Sequence, residues 1–258
     1  ATIVTDMVDD FSNFAGNNTL LKRIQLGKET KKVKNNYKYI DKYVLLSKYM
    51  IERIPEAEDR SIVIEGIYNS IIDTTSKDYN PYTILYTGTL QEFGGVRKLV
   101  DAFCMTKNSR FKLIICGNGV LNDYISEHAK ADNRIIFKGP VPRNEALALQ
   151  KSSALLVNPR CPNGGITKYS FPSKTMEYLA SGTPMLGYKL EGIPEEYFDY
   201  FFTMDELSTE SLASKIEYVL KLPVDKLKEM GEKSKQFIFN MKNAKVQVGK
   251  IIMFIQQK

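Results

Sequence analysis

The sequence predicts an α/β chain: a doubly wound parallel sheet preceded by a truncated part of a second α/β domain. Three observations carry this. From Pro81 onward, short apolar runs rich in β-branched residues alternate with amphipathic helical stretches. Such runs have no polar face, so helices must cover both sides of the sheet they form. Before Pro81 the alternation fails, and the chain opens on the apolar run TIVTD.

The elements follow in order. YTILYTG at 82–88 is a strand ended by Gly88. In 94–105, Val96, Leu99, Val100 and Phe103 recur at helical spacing. FKLIICGNG at 111–119 is a second strand, followed by a helix at 120–131. RIIFKG at 134–139 is a third strand. The helix at 143–153 turns Ala146, Leu147 and Leu149 inward. ALLVNP at 154–159 is a fourth strand. A helix entered at Pro172 and closed by Gly182 leads to a fifth, TPMLGY at 183–188. Helices at 209–222 and 224–240 and an amphipathic stretch from Asn243 complete the chain. This is a Rossmann-like order. Upstream, TIVTD, KYVLLS and SIVIEG read as three strands of another sheet, with a polar, weakly periodic stretch after the first. The polar segment YNSIIDTTSKDYNP at 68–81 suits a domain boundary. We expect a partial α/β domain at 1–75, a ligand-binding Rossmann-like domain at 76–242, and a closing helix at 243–258 that returns toward the first domain.

Bulk chemistry narrows the function. The chain has 258 residues, 43% hydrophobic and 26% charged, as in soluble globular proteins. No run approaches the roughly eighteen apolar residues of a membrane span. No basic region precedes an apolar stretch at the start, so a signal peptide is not expected. Three cysteines without metal-type spacing (Cys104, Cys116, Cys161) argue for a reducing compartment. The single histidine, His128, falls near a helix end, which leaves little for a histidine-built site. The net charge of +6 suits an anionic small molecule, an anionic membrane surface or nucleic acid. The densest basic cluster, GKETKKVKNN, lacks interleaved aromatics to stack bases, so we expect no nucleic-acid partner.

Ligands of open parallel sheets bind where strands run into helices. Four such turns stand out. In YTGTLQEFGGVRKL, Gly88 and Gly94 allow close backbone approach to a ligand, although a plain turn fits equally. CGNGV is an ordinary turn or a second contact. FKGPVPRNEAL is a rigid connector or a surface for a planar base. The fourth, KYSFPSKTMEYLASGTP, is the most specific. Pro172 suits a first helical turn. Ser173 and Lys174 then bring a hydroxyl, an ammonium and free amides to the positive end of the helix dipole, a site for phosphate. Glu177, one turn on, suits a diol; the alternative is a surface pair with Lys174. PNGGITKYS reads as a mobile loop whose Lys168, with Arg160, adds positive charge nearby.

Taken in order, YTGTL…GGVRKLVDAF, LIICGNG, RIIFKGPVPRNEALALQKSSALLVNP and KYSFPSKTMEYLASGTPMLGY resemble the nucleotide-sugar-binding half of a family 4 glycosyltransferase of the GT-B fold, of the bacterial capsule or exopolysaccharide type. The resemblance runs from Pro81 to the end. It implies that Glu177 is the second acid of the family's E-x7-E motif and holds the ribose, with Ser173 and Lys174 at the diphosphate. The first acid, which faces the donor sugar, falls on Tyr169, a departure. The family's Arg and Lys of the first turn are Thr89 and Phe93 here, two further departures. The implied donor set is Gly88, Thr89, Gly94, Arg160, Lys168, Ser173, Lys174 and Glu177, with the base at Phe137 and Lys138. No catalytic residue is assigned.

The resemblance implies transfer of a sugar from a nucleotide diphosphate sugar to an acceptor hydroxyl with retention, with no metal and no cofactor beyond the donor. The acceptor is a sugar or lipid-linked sugar, and the setting is cytoplasmic, with peripheral association at the inner membrane face. It also implies that roughly one hundred residues of the first domain lie outside this chain, which alone is expected to be inactive. A non-catalytic nucleotide- or sugar-binding module is the alternative, favoured by Tyr169.

Overall fold

The computed structural model describes residues 3–7, 35–69, 79–162 and 165–257. Two parallel sheets organise it. The first has three strands in the order β1 (Val4–Met7), β2 (Lys42–Leu45) and β3 (Ser61–Val63). Its small core gathers Tyr37, Tyr43, Leu45, Met50, Ile54 and Ala57. The Tyr43 hydroxyl is fully enclosed and donates to the Tyr37 carbonyl at 2.7 Å, which satisfies it.

The second sheet holds β4 (Thr83–Thr87), β5 (Lys112–Cys116), β6 (Ile135–Gly139), β7 (Leu155–Asn158), β8 (Met185–Tyr188) and β9 (Phe202–Met204). All pairings are parallel, in the order β6-β5-β4-β7-β8-β9. Every residue of β4, β7 and β8 is buried, as their unbroken apolar character requires. The helices between them are α1 (Val96–Met105), α2 (Asn122–Ala131), α3 (Arg143–Ser152), α4 (Gly165–Tyr169), α5 (Ser173–Ala180), α6 (Thr209–Leu220), α7 (Val224–Met241) and α8 (Ala244–Gln256). Strand order reverses between β4 and β7. Their carboxyl ends therefore leave the crevice in which doubly wound sheets take ligands.

Two elements differ from the sequence reading. PNGGITKYS contributes the short helix α4 rather than a mobile loop. Its backbone is held from outside: Ser47 Oγ donates to the Lys168 carbonyl at 2.8 Å, and the Gly192 amide donates to the Thr167 carbonyl at 2.9 Å. The three-residue strand β9 was not anticipated, because a run of three carries no periodicity. Most of the polar segments around 8–34 and 70–78 fall outside the described residues.

The two sheets meet at a crossing of the chain. The Tyr68 amide donates to the Lys242 carbonyl at 2.8 Å, and Gln247 Nε2 donates to the Gly66 carbonyl at 3.0 Å. Lys242 is 1% exposed and pairs at 2.5 Å with both Glu65 and Glu196. The Tyr197 hydroxyl donates to the same Glu65 oxygen at 2.6 Å. These partners offset the cost of burying a charged lysine. Beyond it, α8 reaches the first sheet: Lys42 Nζ donates to the Phe254 carbonyl at 2.6 Å and to the Gln257 carbonyl at 2.5 Å.

Candidate functional site

The crevice between β4 and β7 opens into a cleft of about 610 Å³. Thr87 and Gly88 at the end of β4, Ser173, Lys174, Met176 and Glu177 on α5, and Arg143 and Ala146 on α3 line it. Phe171 and residues 65–68, from the crossing, close the other side. A second cavity of about 360 Å³ shares Thr87, Gly88 and Ala146 and continues along Thr89, Cys116, Gly117, Asn118, Pro140 and Val141.

Helix α5 is pinned to the ends of β4 and β7. Tyr178 is fully buried; its hydroxyl accepts from the Thr87 amide at 2.8 Å and donates to the Thr87 carbonyl at 3.2 Å. Asn158 Nδ2 donates to Thr175 Oγ1 at 3.4 Å. These contacts aim the helix mouth at the cleft. Pro172 caps it without a side-chain hydrogen bond, so first-turn amides remain for an external acceptor. Ser173 stands exposed there.

Lys174 folds back beneath Gly88. Its Nζ lies 3.8 Å from the centroid of the Tyr86 ring. Gly88 has φ +146°, and a Cβ on it would come within 2.2 Å of that nitrogen. Burial pushes the Lys174 amine down to about 7; Arg160 nearby lowers it further, and Glu177 opposes both. Burial likewise lowers Arg160, whose guanidinium lies 5.8 Å from the Phe93 ring centroid. The loop carrying Arg160 presses on Gly95, where φ is +75° and a Cβ would meet the Pro159 carbonyl oxygen at 2.1 Å.

Glu177 does not pair with Lys174. Its Oε1 accepts from Gln150 Nε2 at 2.7 Å, and the same nitrogen lies 3.2 Å from Thr87 Oγ1. Gln150 is fully buried at the end of α3. The carboxylate is thus oriented from behind by a fixed amide, with its other oxygen left for a ligand.

Gly88, Ser173, Lys174 and Glu177 line one cleft, and Thr89 borders its extension. Gly94 packs under the loop, where a Cβ would lie 3.4 Å from the Tyr86 hydroxyl. Arg160 sits within electrostatic reach of Lys174. Four expected positions lie apart. The Lys168 ammonium pairs with Glu52 at 2.7 Å, turned toward the first sheet's domain instead of the cleft. Phe137 packs against the core and Lys138 pairs with Glu145 at 3.1 Å; Pro140 and Val141 take the cavity wall there instead. Tyr169 donates to Glu52 Oε2 at 2.8 Å under the Arg53 guanidinium, 3.7 Å from the ring centroid. Arg143, Gln150, Phe171 and Glu65 were missed. Arg143 alone had a usable signal, as the first residue of a helix that follows a strand end.

A parallel doubly wound domain with an anion-attracting helix mouth and an oriented carboxylate at its switch point has the form of a nucleotide-binding half. The family described as glycosyl transferases group 1 matches residues 69–237, most of the chain. The chain belongs to that family, and its fold is that of GT-B glycosyltransferases. A curated relative, D-inositol 3-phosphate glycosyltransferase of Corynebacterium glutamicum, is 28% identical over 122 residues, covering 43% of this chain and 28% of the relative. Among solved structures, TarM superposes with a TM-score of 0.73 at 14% identity, over 100% of this chain and 51% of TarM. HepE of Anabaena, solved with UDP, gives a TM-score of 0.68 at 14% identity, over 98% of this chain and 72% of HepE. The chain therefore spans about half of TarM and less of the curated relative.

Proposed function

We propose that the chain is the donor-binding part of a retaining, metal-independent glycosyltransferase of the family 4 kind, acting on a nucleotide diphosphate sugar. The observation that carries this reading is the convergence of Ser173, Lys174 and Glu177 on one cleft at the switch point of the sheet. The α5 mouth and Lys174 meet the diphosphate, and Glu177 accepts from the ribose hydroxyls. As the bond from the anomeric carbon to the diphosphate breaks, negative charge develops on the leaving oxygen. The helix amides at the α5 mouth and the Lys174 ammonium, once the diphosphate is docked beside it, stabilise that charge. Glu177 orients the nucleotide and transfers no proton. Arg143, free of any acid partner among the described residues, adds a further cation at the cleft. The UDP in the HepE structure supports a nucleotide of this kind. The acceptor is a sugar or lipid-linked sugar of a surface polysaccharide, handled in the cytoplasm or at the inner membrane face.

A non-catalytic binding module is favoured by one observation. Tyr169, at the usual donor-sugar acid, is engaged with Glu52 and Arg53. The protein extended to the length of its relatives separates the two readings. Release of free or transferred sugar from UDP-glucose or GDP-mannose supports the enzyme. Binding without turnover against any acceptor extract supports the module.

A further inference from the structure

The Lys174 ammonium makes no salt bridge among the described residues. Among the described residues it makes neither a hydrogen bond nor an ion pair; its contact is the face of the buried Tyr86 ring, 3.8 Å away. The Tyr86 hydroxyl is spent on the Thr89 carbonyl at 2.8 Å. The groups around it offer little relief. Arg160, from the loop after β7, repels it. Glu177, on its own helix, attracts it but is bonded to Gln150. Arg143 on α3 adds a second positive charge to the cleft, and Glu65 beyond β3 is committed to Lys242 and Tyr197. An amine enclosed by a ring and a neighbouring cation loses its proton readily, and burial holds this one down at about 7. A diphosphate in the cleft would reverse that balance by placing negative charge beside it.

We propose that binding of a nucleotide diphosphate sugar in this cleft takes up a proton from solvent at the Lys174 amine. This rests on the donor reading above. The step is a simple protonation: the neutral amine gains one proton as the diphosphate docks and returns it when the diphosphate leaves. No covalent bond to the protein forms. Below neutral pH the amine is already charged and the coupling vanishes. Above it, affinity falls by up to about tenfold per pH unit, the limit for one linked proton. The donor cleft thereby senses pH without a histidine.

Isothermal titration of the chain with UDP-glucose and with GDP-mannose, at about pH 7.5 in buffers of different ionisation enthalpy, tests this. Both diphosphates are diesters with no proton to lose near neutrality, so uptake must be the protein's. More than about half a proton per ligand is expected with the probe that binds, shrinking toward zero near pH 6. Lys174→Arg should bind with no uptake, because a guanidinium stays charged. Lys174→Met, checked for folding by circular dichroism, should bind more weakly and also without uptake. Wild-type binding with no buffer dependence would overturn the proposal, as would unchanged uptake in both variants. Failure of both probes to bind the wild type would instead remove the donor reading, and this inference with it.

Discussion

At the residue scale, the proposed function gives Lys174 the charge and Glu177 the orientation of a ligand in the cleft. Glu177 is held by the buried Gln150 amide, so its position does not depend on a ligand. Glu177→Ala should weaken nucleotide binding by about 1–3 kcal/mol, the cost of one or two hydrogen bonds to a charged group, and leave Gln150 only its bond to Thr87. Titration of nucleoside against wild type and variant checks this, and unchanged affinity would refute the ribose role. Lys174 also marks the pH dependence of stability. The folded chain holds its amine near 7, whereas the unfolded chain keeps the ordinary 10.5. Between those values the unfolded state binds more protons, so this group makes stability rise with pH across that window. Urea unfolding at about pH 7 and pH 9 should show a larger gain for wild type than for Lys174→Met; equal gains would contradict the burial of the amine.

At the scale of elements, the crossing of the chain is fixed by one buried lysine. Lys242 joins Glu65, which closes the cleft, to Glu196 of the turn Glu195–Tyr200, while its carbonyl holds Tyr68. Lys242→Met strands the buried Glu65 carboxylate and should cost about 3–5 kcal/mol in urea unfolding. A loss below about 1 kcal/mol would mean that water reaches the pair. A second effect is expected at Gly95, where φ is +75° and a Cβ would strike the Pro159 carbonyl oxygen at 2.1 Å, so the backbone must move. Gly95→Ala should shift the loop that carries Arg160 and so weaken diphosphate binding more than nucleoside binding, as the same titrations would show. Eight strands and the helices after β4, β5, β6 and β7 were legible because each is an apolar run or a clear helical period. Helix α4 and strand β9 were not. Helix α4 has five residues in a Gly-rich context and is held by Ser47 and Gly192, neither of which is near it in sequence. That Ser173, Lys174 and Glu177 would share one cleft was legible because they share one helix after one strand. Phe171 and Glu65 reach the cleft, and Gln150 reaches Glu177, only through tertiary packing, and the inward turn of Lys174 onto Tyr86 had no local signal.

At the scale of the whole molecule, two parallel sheets meet through residues 65–68, Lys242 and α8, and the cleft at the α5 mouth opens beside that junction. Residues from the junction line the cleft, so ligand binding and the crossing share structure. A nucleotide diphosphate should therefore protect the whole fold, by about 2.7 kcal/mol at one hundred times its dissociation constant. The central claim is that the α5 mouth holds a diphosphate through Lys174 and a ribose through Glu177. Titration of UDP and uridine, with GDP and guanosine alongside, against wild type, Lys174→Met and Glu177→Ala tests it most directly. The account predicts that Lys174→Met loses about tenfold or more in affinity for the diphosphate and little for the nucleoside, while Glu177→Ala loses for both. Equal losses for diphosphate and nucleoside in Lys174→Met, or no wild-type preference for the diphosphate, would contradict it.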